Sequence, residues 1–231
     1  MCRHLAWLGA PRSLGDVLLA PEHGLLTQSY APRRQRHGTI NADGWGVGFY
    51  VPGRPEPARW RSGRPLWSDA SFASVAPVLA AGCVLAAVRS ATAGMPADET
   101  AAAPFQSGRW LLSHNGVVSR TVLGPHPDAE SVSDSAQLAA HLLGNDPGQA
   151  GKFVSDLGRR DPGARLNLLL TDGERILATR WKDTLSVLRT DQGVAVASEP
   201  YDDDPRWADV PDYHLVEVSA GTVTLTELDH D

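Results

Sequence analysis

The sequence predicts an α+β fold in which two sheets form the core and helices cover them. The last third of the 231-residue chain contains five short apolar strands, separated by turn signals such as Asp172-Gly173. Two apolar runs in the middle of the chain, residues 83–91 and 109–116, are typical of buried strands that end in polar residues. Many strands with a few helices between them favour two packed sheets, although the strand order does not follow from the pattern.

The remaining elements follow the chain from its beginning. Residues 2–9 alternate as a short strand, and residues 13–20 are typical of a helix with Ser13 as its N-cap. A polar, basic loop is expected over 29–43, a glycine-rich strand over 44–51 and a helix over 71–80 despite Pro77. Two further helices are predicted over 134–144 and 148–160. The late strands are LNLLLTDG, ERILATRW, TLSVLRT, GVAVASE and YHLVEVSAG.

Length and composition indicate an ordinary globular protein, and one domain is expected over residues 1–231. Hydrophobic residues make up 42% of the chain, charged residues 21%, and the formal net charge is −6. A net negative charge does not favour binding to nucleic acid or to an anionic membrane, so neither is expected as a partner. Because no apolar run approaches the length of a bilayer span or of a secretory signal, a cytoplasmic location is expected.

The two cysteines are predicted to have different roles. Cys83 lies in the apolar run CVLAAV and is expected to be a buried packing residue. A bridge between Cys2 and Cys83 is not required in a reducing compartment. Cys2 directly follows Met1, and a small residue at this position favours removal of the initiator methionine. Cys2 would then become the amino-terminal residue.

An amino-terminal cysteine carries a thiol and a free α-amine on adjacent carbons. The α-amine has an ordinary pKa of roughly 7.7–8.0, so a useful fraction is neutral near pH 7. It can therefore accept the thiol proton and act as general base to its own nucleophile. Position alone is a weak signal, because any residue can follow Met1 by chance.

Five short motifs accompany Cys2 in a recognisable order. Together with Cys2, they resemble the class II glutamine amidotransferase domain over almost the whole chain. The resemblance implies the Ntn hydrolase fold, a four-layer αββα sandwich of two antiparallel sheets flanked by helices. It also implies an amidohydrolase with an amino-terminal nucleophile and no cofactor. The motifs are NADGWGVGF (41–49), RSATAG (89–94), HNG (114–116), SDS (133–135) and SEP (198–200).

The resemblance implies that Cys2, Asn115 and Gly116 are catalytic. Cys2 would attack a γ-glutamyl amide and form a thioester. The Asn115 side-chain amide and the Gly116 backbone N–H would form the oxyanion hole that stabilises the developing negative charge. The alternative for Asn115-Gly116 is a plain tight turn, since this dipeptide is a strong turn signal.

The resemblance also implies that Arg89, Thr92 and Asp134 bind the glutamyl group. A guanidinium fork matches a carboxylate, so Arg89 would hold the α-carboxylate, with Thr92 beside it. Asp134 would hold the α-ammonium. The alternatives are a structural ion pair for Arg89 and a strand-closing residue for Thr92. For Asp134 the alternative is a helix capping box with Gln137.

Other chemistry-bearing residues carry weaker signals. Gly44, Gly46 and Gly48 do not have dinucleotide-binding spacing, and no helix follows them, so close backbone packing beside the active site is expected. The eight histidines have no ligand-like spacing with Cys, Asp or Glu. No metal site is therefore expected.

The opening MCRHLAWLG and residues 23–50 resemble, more narrowly, the stand-alone γ-glutamyl hydrolases of ergothioneine biosynthesis. This resemblance implies a small-molecule substrate, γ-glutamyl-cysteinyl-hercynine sulfoxide, and no obligatory protein partner. Glutamate and hercynylcysteine sulfoxide would be the products. Two other functions remain open: a glutaminase subunit that delivers ammonia to a separate synthase, and a catalytically idle binding domain.

The loop 29–43 is a candidate lid or wall for the leaving group. It carries Tyr30, Arg33, Arg34, Arg36 and His37. A trimethylammonium cation in the leaving group would be suited to an aromatic face. The alternative is a solvated basic loop.

Overall fold

Two antiparallel sheets pack face to face in the computed structural model, which describes residues 2–92 and 94–231. Met1 and Ala93 lie outside the described residues. From edge to edge, sheet A contains β11 (Ala208–Asp209), β9 (Ser186–Thr190), β10 (Gly193–Ala197), β1 (Arg3–Ser13), β4 (Ala80–Val88), β2 (Trp45–Phe49) and β3 (Ala58–Ser62). Sheet B contains β13 (Thr222–Glu227), β12 (His214–Ser219), β8 (Arg175–Arg180), β7 (Arg165–Thr171), β6 (Trp110–Val117) and β5 (Phe105–Ser107).

Helices cover the outer face of each sheet and complete the predicted four layers. On sheet A lie α1 (Leu14–Leu18), α2 (Leu25–Gln28) and α3 (Ala70–Val75). On sheet B lie α4 (Arg120–Leu123), α5 (Asp134–Leu143) and α6 (Ala150–Arg160). Short 3₁₀ turns span Leu66–Ser68, Glu99–Ala101 and Pro147–Gln149. None of the helices within the described ranges has the length and apolar character needed to cross a membrane.

The central strands bury both of their faces. Along β1, Leu5 and Trp7 pack in the cluster under the outer helices, whereas Ala6 packs between the sheets with Leu111 and Leu169. Side chains alternate between the two faces of a strand, so both clusters draw on the same strand. Burial on two faces explains why these strands are nearly continuous apolar runs in the sequence.

Most predicted elements are present, with shifted limits. Ser13 is the N-cap of α1 and accepts a hydrogen bond from the Asp16 N–H at 3.0 Å, as expected. The helix predicted over 71–80 is wrong in its second half, because α3 ends at Val75. Pro77 cannot donate a backbone hydrogen bond to a continuing helix, and β4 already begins at Ala80. The strands β3, β5, β11 and β13 were not predicted.

Two buried histidines belong to the core of the sandwich. The Nδ1 of His4, on β1, lies 3.1 Å from the Ser113 Oγ of β6, so this contact joins the two sheets. The ring of His114, on β6, lies 2.9 Å from the Ser135 Oγ and 2.8 Å from the Arg165 carbonyl oxygen. Burial lowers the pKa of His114 and holds the pKa of His4 well below 6.5.

The free energy of unfolding should fall as the pH is lowered from 7 to 5. The unfolded chain binds protons at His4 and His114 below pH 6.5, whereas the folded chain keeps both neutral until a lower pH. The loss approaches about 1.4 kcal/mol per pH unit for each fully buried histidine. Urea unfolding at several pH values measures this slope. His114→Gln should make the slope shallower, and an unchanged slope would contradict the explanation.

Candidate active site

The pairing of β1 with β4 brings Cys2 and Arg89 to the same edge of sheet A. Arg3 lies opposite Val88 in this antiparallel pair, so the start of β1 adjoins the end of β4. Cys2 and Arg89 line one small pocket, which opens between the two sheets. Its other lining residues come from both sheets and from α5, and include Ala87, Phe105, Ser113, His114 and Ser135.

Cys2 is held through its backbone by the buried side chain of Arg3. The Cys2 Sγ is half-buried and lies 3.9 Å from the Ser90 carbonyl oxygen. The Cys2 carbonyl oxygen accepts a hydrogen bond from the Arg3 Nε at 2.8 Å. Arg3 is itself fully buried and pairs with Glu199 at 3.4 Å. Burial lowers the pKa of Arg3, and the Glu199 charge opposes that shift.

Glu199 also ties the loop 29–43 to the strand that carries the nucleophile. Its carboxylate accepts the backbone N–H groups of Arg33 and Arg34, each at 2.8 Å. The side chains of these two arginines form ion pairs with Asp203 at 2.9 Å and with Asp209 at 2.6 Å. This part of the loop is therefore anchored at both its backbone and its side chains.

Arg89 lines the pocket, and its guanidinium forms no salt bridge with a carboxylate among the described residues. Its Nη1 donates to the carbonyl oxygens of Asp43, at 3.0 Å, and of Pro96, at 2.9 Å. The structural ion pair considered for Arg89 is therefore not found. Because only Nη1 is engaged in these bonds, the rest of the fork remains available to a carboxylate.

Asp43 secures the turn that follows β4, and its part in the site was missed from the sequence. Its backbone N–H donates to the Arg89 carbonyl oxygen at 2.9 Å. Its carboxylate accepts the Ala91 N–H at 2.7 Å. Asp43 lies in the motif NADGWGVGF, but only the fold places its carboxylate beside the motif RSATAG.

Asn115 and Gly116 lie within β6, paired with β7, and not in a tight turn. The turn alternative is therefore wrong. A Cβ at Gly116 would lie 1.8 Å from the Arg165 carbonyl oxygen, so only glycine fits at this position. Asn115 is fully buried, and its Nδ2 donates to the Ser198 Oγ at 3.4 Å. Within the described ranges its Oδ1 has no partner.

Asp134 is the first residue of α5 but not its cap. The N-cap is Ser133, whose side chain accepts the Ala136 N–H at 3.3 Å. The capping box proposed for Asp134 and Gln137 is therefore wrong. The Asp134 carboxylate accepts the Val118 N–H at 3.1 Å, and this bond holds it close to the end of β6.

Thr92 lies in an exposed turn four residues beyond the end of β4. It therefore does not close the strand, which was the alternative role. Its carbonyl oxygen accepts the Met95 N–H at 3.0 Å. Neither Thr92 nor Asp134 lines the pocket that holds Cys2 and Arg89, whereas Ser135, next to Asp134, does.

Cys83 and the glycines of β2 take the packing roles predicted for them. Cys83 is buried, its Sγ lies 3.1 Å from the Thr171 Oγ1, and burial raises its pKa to about 12. It is therefore inert as a nucleophile at neutral pH. A Cβ at Gly46 would lie 2.4 Å from the Ala103 carbonyl oxygen, and Ala103 lines the pocket.

The fold also brings together three possible metal ligands that are distant in sequence. Glu22, His23 and Asp203 place ligand atoms within 4.8 Å of one another at the surface. Asp203 is already engaged by Arg33, and the group lies outside the pocket. Sequence spacing could not show this cluster, because Asp203 joins it only through the tertiary structure.

Curated relatives match the chain over nearly its whole length. It is 59% identical over 228 residues to the γ-glutamyl-hercynylcysteine sulfoxide hydrolase of Mycolicibacterium smegmatis, covering 99% of this chain and 100% of that protein. A protein of the same name from Mycobacterium tuberculosis strain H37Rv is 58% identical over 229 residues, with 99% and 97% covered. No family model matches the chain.

Solved structures of low sequence identity share the fold. A glutamine aminotransferase class-II domain protein from Silicibacter pomeroyi has a TM-score of 0.68 at 23% identity and covers 98% of this chain and 99% of its own. Glutamine phosphoribosylpyrophosphate amidotransferase from B. subtilis has a TM-score of 0.71 at 16% identity, with 98% and 49% covered.

The fold expected from the motifs, a sandwich of the N-terminal nucleophile type, is therefore confirmed. The likeness to these two structures concerns the fold alone. The relationship at 59% identity is much closer and spans the whole of the curated relative. This chain belongs to the family of the γ-glutamyl-hercynylcysteine sulfoxide hydrolases.

Proposed function

We propose that this protein hydrolyses the γ-glutamyl amide bond of γ-glutamyl-cysteinyl-hercynine sulfoxide and releases glutamate and hercynylcysteine sulfoxide. The observation that carries the proposal is the pocket in which Cys2 and Arg89 meet between the sheets, in a chain 59% identical to hydrolases of that name. A thiol nucleophile and a cation suited to a carboxylate are what attack on a γ-glutamyl group requires.

Cys2 becomes the amino terminus when Met1 is removed, and its α-amine then accepts the thiol proton. The thiolate attacks the γ-amide carbon, and the resulting oxyanion is stabilised by the Asn115 amide and the Gly116 N–H. The protonated α-amine donates its proton to the departing amine, so the C–N bond breaks and a γ-glutamyl thioester remains. A water molecule that loses a proton to the same amine then hydrolyses the thioester and frees Cys2.

The glutamyl group is held at its two charged ends. Arg89 binds the α-carboxylate through the part of its guanidinium that the Asp43 and Pro96 carbonyls leave open. Asp134 would bind the α-ammonium and Thr92 would help to hold the carboxylate end, from positions outside the residues that line the pocket. Arg89 forms no salt bridge among the described residues and only its Nη1 is engaged, which supports this role.

The loop 29–43 forms the wall on the leaving-group side. Tyr30 lies edge-on to Trp67 with 6.0 Å between ring centroids, and the two residues are 50% and 43% exposed. Such an accessible aromatic pair suits the trimethylammonium of the hercynyl group. The anchoring of the loop by Glu199 supports a fixed wall in preference to a mobile lid.

The reaction takes place in the cytoplasm and needs no protein partner. Both cysteines are free thiols, which suits a reducing compartment. A glutaminase that feeds ammonia to a synthase remains the second candidate from the sequence. The curated relatives are named hydrolases of the hercynine conjugate, which favours hydrolysis of that conjugate over delivery of ammonia.

Intact-mass analysis tests the nucleophile. Purified protein should lack Met1, and a diazoketone analogue of glutamine should add one equivalent to the wild type and none to Cys2→Ala. Cys83→Ala is the matched control and should label like the wild type. The Cys83 thiol is buried and has a pKa of about 12, so it is not expected to react. Retention of Met1 on active protein, or labelling of Cys2→Ala, would contradict the mechanism.

Asn115→Ala should lower kcat by about 10²–10³-fold with little change in KM, because the oxyanion forms only along the reaction. Steady-state kinetics measures both constants. Asn167→Ala is a control: Asn167 lies opposite Asn115 on β7 and is also buried. Asn167→Ala should lower the unfolding midpoint and change kcat little. Equal losses of kcat in the two variants would argue against the oxyanion role.

The identity of the substrate is tested by comparing glutamate release from the hercynine conjugate and from glutamine. We expect kcat/KM to favour the conjugate by at least about 10²-fold, since its leaving group has contacts that ammonia lacks. A preference for glutamine would overturn the assignment and favour the glutaminase. The comparison requires wild-type protein only.

A further inference from the structure

A hydrogen bond between His4 and Ser113 joins the two sheets directly beneath the pocket. His4 lies two residues after Cys2, and Ser113 lies two residues before Asn115. Residues two apart on a strand share a face, so His4 and Ser113 lie on the inner faces that also carry the two catalytic side chains. The His4 Nδ1 and the Ser113 Oγ are 3.1 Å apart, and both residues are fully buried.

Ser198 extends this contact to Asn115. Its Oγ accepts the His4 backbone N–H at 3.0 Å and the Asn115 Nδ2 at 3.4 Å. Its own N–H donates to the His4 carbonyl oxygen at 2.9 Å. Ser198 thus binds one proton of the Asn115 amide, and the other proton has no acceptor among the described residues. Ser198 is the first residue of the motif SEP.

We propose that His4, Ser113 and Ser198 are positioning residues that fix Cys2 relative to Asn115 across the gap between the sheets. The inference rests on the proposed function, because it takes Cys2 as the nucleophile and Asn115 as the oxyanion donor. The two catalytic groups come from different sheets, so their separation depends on contacts between the sheets. Among the described contacts between the sheets, the hydrogen bonds of His4, Ser113 and Ser198 lie nearest in sequence to Cys2 and to Asn115.

The chemistry of His4 supports a fixed spacer and not a proton carrier. Burial keeps the ring neutral, and its Nε2 has no partner among the described residues. An unpaired buried ring nitrogen costs free energy that an apolar residue of similar size would avoid. Holding the nucleophile against the oxyanion donor is the benefit that offsets this cost.

A second polar contact between the sheets lies far from the pocket and provides a matched control. The Cys83 Sγ and the Thr171 Oγ1 are also 3.1 Å apart and buried. Cys83 lies within β4, six residues before Arg89, and does not line the pocket. Its loss should weaken the contact between the sheets without moving Cys2 or Asn115.

The test measures kcat, KM and the unfolding midpoint for Ser113→Ala, His4→Leu, their double variant, His4→Asn and Cys83→Ala. A misplacement of about 1 Å costs on the order of 10²-fold in rate. We therefore expect Ser113→Ala and His4→Leu each to lower kcat by at least about tenfold, with KM within about threefold. The double variant should be no slower than the slower single variant, because both changes remove one contact.

His4→Asn keeps a polar group near the position of Nδ1 and should recover most of the lost kcat. Cys83→Ala should lower the unfolding midpoint but leave kcat unchanged. The proposal is overturned if Ser113→Ala keeps wild-type kcat, or if its kcat loss equals that of Cys83→Ala at a similar midpoint. It is also overturned if the two single effects multiply in the double variant.

Two outcomes separate this inference from the proposed function. If Cys2→Ala retains turnover, the nucleophile is wrong and the proposed function fails, whatever the His4 variants do. If Cys2→Ala is inactive and Ser113→Ala is fully active, only the positioning role fails. Should His4→Leu not fold, Ser113→Ala still decides, because it removes the same hydrogen bond through a smaller change.

Discussion

The antiparallel pairing of β1 with β4 in the middle of sheet A is the constraint on which the site depends. Because Arg3 lies opposite Val88, the residue before β1 and the residue after β4 must be neighbours. Cys2 and Arg89 therefore meet through strand register and not through a loop. A slip of one residue would turn every side chain of a strand to the other face, so the close-packed neighbours on each face specify the register. The precision of the site thus derives from the apolar packing of these two strands.

The ion pair buried beside the β1–β4 pairing has a structural role. Arg3 and Glu199 form a fully buried ion pair, and such a pair is weak evidence for stability because both ions lose their hydration. Here Glu199 also accepts two backbone N–H groups of the loop 29–43, and Arg3 binds the Cys2 carbonyl oxygen. The pair therefore connects Cys2, the segment after β10 and the loop 29–43 through hydrogen bonds.

Three of the seven buried side-chain atoms that lack a hydrogen-bond partner among the described residues belong to Arg3, His4 and Asn115. The Arg3 Nη2, the His4 Nε2 and the Asn115 Oδ1 all lack a partner among the described residues. Native proteins keep few such groups, and those they keep tend to lie at functional sites. Solved structures that share this fold at 16–23% identity fix the architecture but not the substrate.

The sequence by itself determined the nucleophile candidate, the two-sheet class and most of the strands. These features depend on local pattern: a small residue after Met1, apolar runs of strand length, and short motifs in a fixed order. It also identified Cys83 as a packing residue, which its burial confirms. Local pattern failed at Pro77, where the helix ends early, and at Asn115-Gly116, where a turn signal lies within a strand.

Only the tertiary structure decided which side chains support the motif residues. Ser198 lies 194 residues from His4, and Glu199 lies 196 residues from Arg3, yet both pairs are in hydrogen-bond contact. No local propensity encodes such contacts, because they follow from the order and register of strands within the two sheets. The same reason explains why Asp134 was ambiguous in the sequence. Its competing role as a helix cap was excluded only when Ser133 was found at that position.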